Sequence, residues 1–222
     1  AFIFGATRAL SIDSENKIPL IGGETAEMPT VYNHGKNDVV GCIIGKLDDL
    51  FVKFPREPRK RDFLIAIESL GPHTNGFSLI NKIDWRQTFC DFKNDAYGMN
   101  FTGFLEKLRS PHKNYLPIVK YFINTYGKES IIRMCHITGG GLRENLERVI
   151  SDSLKLVFRE DILDKMYPKW CKIIENVGDI SRDEMYRVFN CGIGFVFIVD
   201  SETRDMVLKD SNFKFYEIGR LE

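Results

Sequence analysis

Four short segments carry side chains that could do chemistry. The first is Gly22-Gly23-Glu24-Thr25-Ala26-Glu27-Met28-Pro29, reached directly from the apolar run Pro19-Leu20-Ile21. Paired glycines allow a tight turn or a close backbone approach to a ligand. Glu24, Thr25 and Glu27 add two carboxylates and a hydroxyl, an oxygen-only donor set that suits Mg²⁺ held jointly with nucleotide phosphates. The second is Gly71-Pro72-His73-Thr74-Asn75-Gly76. An imidazole there suits proton transfer near neutral pH, and Thr74 or Asn75 serves equally as the N-cap of a following helix. The third is His136-Ile137-Thr138-Gly139-Gly140-Gly141-Leu142. Bare glycine N–H groups before a helix can cradle phosphate, with Thr138 as an extra donor, although a sharp turn explains the same glycines. The fourth is Glu184-Met185-Tyr186-Arg187-Val188-Phe189-Asn190-Cys191-Gly192-Ile193-Gly194, in which Asn190 and Gly192 read as a helix C-cap and Arg187 is the anion-binding candidate.

These segments need elements to hold them. Residues 1–9 read as a helix without an N-terminal cap, and 18–21 and 39–45 as short buried strands. Between 51 and 61, two prolines and the cluster Arg56, Arg59, Lys60, Arg61 read as a basic linker. Residues 63–67 open a second unit as a buried strand, followed by a loop and a helix at 76–83. The stretch 85–104 is aromatic and irregular. Further helices are expected at 116–126, stopped by Gly127, at 142–150, at 162–177 despite Pro168, and from Ser181 to about Phe189 through a capping box. Strands are expected at 131–137, 156–158, 194–199 and 213–218. The alternation predicts an α/β (α+β) protein: a partial N-terminal sheet-and-helix domain over 1–50, the linker 51–61, and a C-terminal domain over 62–222 with a mixed sheet flanked by helices.

Composition narrows the function classes. Hydrophobic residues make up 43% of the 222, enough for a real core, and the formal net charge is +0. A neutral chain lacks the basic surplus expected of a nucleic-acid or anionic-membrane binder. No apolar run is long enough to span a bilayer, and the first residues lack the basic region of a signal peptide. Five scattered cysteines without C-x-x-C spacing read as reduced, buried thiols of a cytoplasmic protein, and the four histidines lack metal-ligand spacing along the chain.

The four segments, in this order, resemble the aminoimidazole ribonucleotide synthetase family, also called phosphoribosylformylglycinamidine cyclo-ligase. The resemblance runs from about residue 1 to residue 222 and is weakest at 51–61 and 85–102. It implies ATP- and Mg²⁺-dependent ring closure of formylglycinamidine ribonucleotide in purine biosynthesis, and a homodimer formed through the N-terminal domain. Carried onto these residues, it makes Glu24 catalytic, His73 the catalytic acid/base or a substrate-phosphate contact, and Glu24 and Glu27 metal ligands. It places Gly22, Gly23, Thr25, Asn75, Thr138, Gly139, Gly140 and Gly141 on nucleotide or phosphate, and offers Arg187 to the substrate phosphate. Two departures accompany it. The family's Gly-Thr-Asp-Gly-Val-Gly-Thr-Lys-type segment and later Asn-Asp pair do not occur here, and its Pro-Thr-Arg before the central helix is Pro111-His112-Lys113. The expectation is therefore of the C-terminal two-thirds of such an enzyme, inactive alone, with the missing half supplied by a longer chain or a separate one. The alternatives are a related ATP-dependent enzyme with another substrate, or a non-catalytic assembly subunit.

Overall fold

The computed structural model describes residues 2–11, 18–46, 54–85 and 98–222. The chain divides into two units, 1–46 and 47–222. In the first, helix α1 covers Phe2–Leu10 and exposes Ile3 and Phe4. A turn follows Met28, whose carbonyl accepts from the amides of Val31 and Tyr32. The strands expected at 18–21 and 39–45 are not formed, and the described residues of this unit contain no strand. Ile21, Val40, Ile43 and Ile44 are each at least 80% exposed. Apolar, β-branched residues make a strand only against a ladder partner that satisfies their backbone, and no such partner lies within these residues.

The second unit is built on a five-stranded sheet. Its strands are β1 (Phe63–Glu68), β2 (Arg133–His136), β3 (Leu156–Phe158), β4 (Ile193–Val199) and β5 (Tyr216–Leu221), in the order β2-β4-β1-β5-β3. All four pairings are antiparallel, so the α/β class holds but the sheet is not mixed. The central strands are apolar at nearly every position because both sheet faces are covered. On β1, Leu64 and Ala66 pack with Leu142, Leu146 and Leu163, whereas Ile65 and Ile67 pack with Ile118, Phe122 and Val207. The two-residue side-chain period of a strand makes this division automatic.

The covering helices are α2 (Phe77–Ile80), α3 (Phe101–Leu108), α4 (Leu116–Tyr126), α5 (Gly141–Glu147), α6 (Glu160–Met166), α7 (Lys169–Gly178), α8 (Arg182–Val188) and α9 (Ser201–Val207). Helix α4 has the expected bounds, ended by Gly127 at φ 83. The single helix expected over 162–177 is two. Tyr167 and Pro168 are extended (ψ 110 and 159), because proline lacks a donor and its ring excludes the preceding residue from helical space. Helix α9 has no counterpart in the expectation; the Asp200 side chain caps it by accepting from the Thr203 amide at 2.9 Å. Part of the irregular stretch is helical as α3, capped by Asn100; residues 86–97 lie outside the described residues. A third apolar cluster joins α2, α3, α7 and α8 through Phe104, Trp170, Ile173, Ile174 and Phe189.

Residues 54–61 pack with this second unit. Arg56 makes a two-pronged ion pair with the buried Asp62, at 2.7 and 2.6 Å, and the Arg61 amide donates to the Leu221 carbonyl. Arg56 is therefore committed inside the fold and not available to an anion.

Candidate functional site: a histidine cluster between three loops

The site begins at the end of β1. The chain leaves Glu68 through Ser69 and enters a loop that is locked from several sides. Asn190, almost wholly buried, donates from Nδ2 to the Gly71 carbonyl at 2.8 Å and accepts from Ser69 Oγ at 2.9 Å. Asn190 is thus a loop clamp and not the helix cap its position suggested; Phe189 caps α8. A side chain at Gly71 would collide with the Lys107 carbonyl. Held this way, His73 and Thr74 both adopt left-handed backbone angles, φ 52 and 60. Consecutive non-glycine residues in that region are strained, and such strain survives only where the surroundings impose it. Thr74 Oγ1 and Asn75 Nδ2 both donate to the His73 carbonyl at 2.7 Å, so these two residues hold the loop shape.

His73 is completely buried, yet neither of its ring nitrogens has a hydrogen-bond partner. Around it the structure assembles residues far apart in sequence. His112, from the loop before α4, stacks on the His73 ring with centroids 4.7 Å apart. His136, the last residue of β2, has its ring centroid 5.9 Å from both. Tyr115 and Phe195 border the group, and the Tyr115 hydroxyl donates to the Glu68 carbonyl at 3.2 Å. His112 and His136 are exposed, so the cluster has a buried base and an open mouth. Burial pushes the His73 pKa down to about 4, helped by His112, His136 and Lys113; His136 is lowered by burial and then by His112. Both imidazoles are held neutral at pH 7. Burial raises the Tyr115 hydroxyl, with Glu68 adding to it, so it stays protonated.

The glycine segment follows β2 directly. Gly140 and Gly141 have φ 93 and 66, open to glycine alone, and a side chain at Gly141 would strike the Tyr186 carbonyl. Asn145, on the buried face of α5, ties the loop together. Its Nδ2 donates to the carbonyls of Gly141 at 2.7 Å and Gly139 at 3.1 Å, and its Oδ1 accepts from Thr138 Oγ1 at 3.2 Å. A Cβ on Gly139 would lie 3.4 Å from Asn75 Oδ1, so the glycine loop and the His73 loop meet there. The Glu144 carboxylate flanks Gly140 and pairs with Arg148. The Arg187 guanidinium is turned to solvent and paired with Glu184 at 2.6 Å.

Of the residues singled out from sequence, His73, Asn75 and Thr138–Gly141 are thus brought together. Gly22, Gly23, Glu24, Thr25 and Glu27 lie exposed in the first unit, in irregular backbone. Sequence reasoning missed His112, Tyr115, Asn145 and Gly194 as site-builders. Asn145 was detectable as a polar residue between Leu142 and Leu146 on an apolar helix face. Among the cysteines, Cys135, Cys171 and Cys191 are buried as expected, Cys42 is exposed, and Cys90 lies outside the described residues. Burial pushes the Cys135 thiol up to about 11, which disfavours the nucleophilic thiolate. Among the described residues, no helix is long and apolar enough to cross a membrane.

Residues 61–222 match the family model for the C-terminal domain of AIR synthase related proteins. The chain belongs to that family. AIR synthase relatives include the phosphoribosylformylglycinamidine cyclo-ligases of Clostridium perfringens, 37% identical over 92% of this chain, and of Pseudothermotoga lettingae, 38% identical over 87%. The cyclo-ligase of Prochlorococcus marinus is 33% identical over 93% of the chain. The chain spans 55–59% of the length of these relatives. The AIR synthase match covers the whole histidine cluster and the glycine loop.

Proposed function

We propose that this chain supplies the C-terminal part of a phosphoribosylformylglycinamidine cyclo-ligase, which closes the imidazole ring of aminoimidazole ribonucleotide at the expense of ATP. The observation that carries the reading is His73: a buried, neutral imidazole with two unengaged nitrogens, in an imposed loop geometry whose Asn75 meets the glycine loop at Gly139. ATP would phosphorylate the formyl oxygen of the substrate. The amidine-side nitrogen then attacks the formyl carbon, phosphate leaves, and the nitrogen loses a proton. In this reading His73 would accept that proton, and burial keeps it unprotonated at pH 7. Thr138 and the backbone of Gly139 and Gly140 would hold phosphate, with Asn75 beside them. Glu24 and Glu27, both exposed oxygen donors, fit Mg²⁺, which would neutralise nucleotide phosphate charge when bound.

The exposed apolar runs of the first unit support a second element of the proposal, dimerisation through that unit. Cyclisation would need the further length that the relatives carry, so the 222 residues alone are not expected to turn over.

The test is His73→Asn in the complete protein. Turnover should fall by about two to four powers of ten while the thermal midpoint stays within a few degrees. Unchanged turnover in a folded variant removes His73 from the proton-transfer role.

A further inference from the structure

The three imidazoles of the cluster form a donor set that ring closure does not require. Among the described residues, His73, His112 and His136 are the one group of three or more metal-capable side chains, with a ligand atom from each within 4.8 Å of the others. No carboxylate belongs to the group. We propose that these three histidines bind a divalent transition ion of the zinc class, with one or more coordination positions left open to solvent.

A buried imidazole with both nitrogens unpaired is costly to leave so, and native proteins resolve such groups with a water or an ion. A bound metal would satisfy one His73 nitrogen directly. The two outer ligands can adjust. Tetrahedral zinc with bonds of about 2.0–2.1 Å sets its nitrogens about 3.4 Å apart. Reaching that spacing requires the exposed His112 to turn off the His73 ring face and His136 to close in. His112 Nε2 lies 2.9 Å from Thr74 Oγ1, and a turn of the ring about that contact would present Nδ1 to the ion while keeping the outer hydrogen bond that metal-binding histidines typically make. Lys113 is a positive charge felt at His73, and it pairs with Glu68 at 3.9 Å.

The ligand chemistry selects the ion. Imidazole donors suit zinc, cobalt, nickel and copper, whereas magnesium and calcium want oxygen. His112 comes from the Pro111-His112-Lys113 segment in which this chain departs from Pro-Thr-Arg. Because the metal would occupy the nitrogen of His73, occupancy and proton acceptance by His73 exclude each other. Zinc would act on this site as a brake and not as a catalyst.

The binding test uses the 222-residue protein itself and does not depend on cyclo-ligase activity. Titration with Co²⁺, and competition with Zn²⁺, should give one equivalent bound with the visible absorption of a low-coordinate cobalt site and no thiolate charge-transfer band. His112→Ala and His136→Ala, both at exposed positions, should each weaken binding at least about tenfold, the loss seen even for outer-shell changes. Excess Mg²⁺ should not displace the cobalt. Absence of the cobalt spectrum, a thiolate band pointing to Cys42, or binding indifferent to both substitutions in folded protein overturns the proposal. Cobalt binding by the unsubstituted protein together with normal turnover in His73→Asn would refute the proton-transfer role and leave the metal site standing, whereas undiminished cobalt binding by His73→Asn overturns the metal site.

Discussion

Gly194 and Tyr115 occupy one space. A Cβ on Gly194 would collide with the Tyr115 hydroxyl and lie 3.0 Å from His73 Cε1, so the missing side chain of a β4 residue makes room for the site wall. Gly194→Ala should destabilise the protein by about 1–3 kcal/mol, the usual cost of overpacking a filled core. Tyr115→Phe removes the atom struck hardest and leaves only the closer approach of the ring, with Cζ at 2.8 Å. The double variant should therefore be more stable than the sum of the two single losses implies, by chemical denaturation. Simple additivity would show that the hydroxyl is not what the glycine accommodates.

Asn145 holds the glycine loop from beneath. Asn145→Ala leaves the buried Gly141 carbonyl without its 2.7 Å donor and should cost roughly 1–3 kcal/mol. Hydrogen exchange should rise at Gly139–Leu142 before it rises in β4. A global loss with no local change in exchange would argue that the loop is held by its packing on Tyr186 instead.

Arg56 closes over a buried carboxylate. Asp62 is 2% exposed and receives both prongs of the guanidinium together with the Arg59 amide at 2.8 Å. Arg56→Ala strands that charge and should cost about 3 kcal/mol, near the low end for a broken buried pair because the Arg59 amide remains. Arg56→Lys should recover only part of this, since an ammonium cannot make the planar fork. Equal stability of all three proteins in urea would reduce the pair to a surface contact.

Asp210 sets an acid limit on stability. Burial acts to raise its pKa, but hydrogen bonds from Tyr126 and Tyr121, the latter at 2.7 Å, and from the Asn212 and Phe213 amides outweigh it and leave the pKa lowered. A carboxylate with a depressed folded pKa stabilises above its unfolded value, near 3.9, and that stability is lost as pH falls through the folded value. Asp210→Asn should therefore flatten the decline in unfolding free energy measured from about pH 5 downward. An unchanged slope would assign the acid limit to other carboxylates.

Much of the second unit was legible because its signals are local. The 3.6-residue spacing of Ile118 and Phe122 with the stop at Gly127 defines α4, and Ser181 caps α8 by accepting from the Glu184 amide. The errors mark places where a distant partner decides. Residues 18–21 and 39–45 carry strand composition but lack a ladder, and Pro168 splits a pattern that periodicity alone would join. At the site, the His73 and glycine loops could be named from their residues, whereas their neighbours could not.

The sequence by itself determined the family, the two candidate loops of the second unit and most of its elements, because motifs and periodicity are properties of neighbouring residues. Only the tertiary structure decided what surrounds His73. The antiparallel order β2-β4-β1 sets the end of β2 beside the exit of β1, so His136 meets His73, while the loop before α4 folds His112 across both. No spacing along the chain encodes that meeting. It follows from strand register and from the space left by one glycine, which exist only once the sheet has formed.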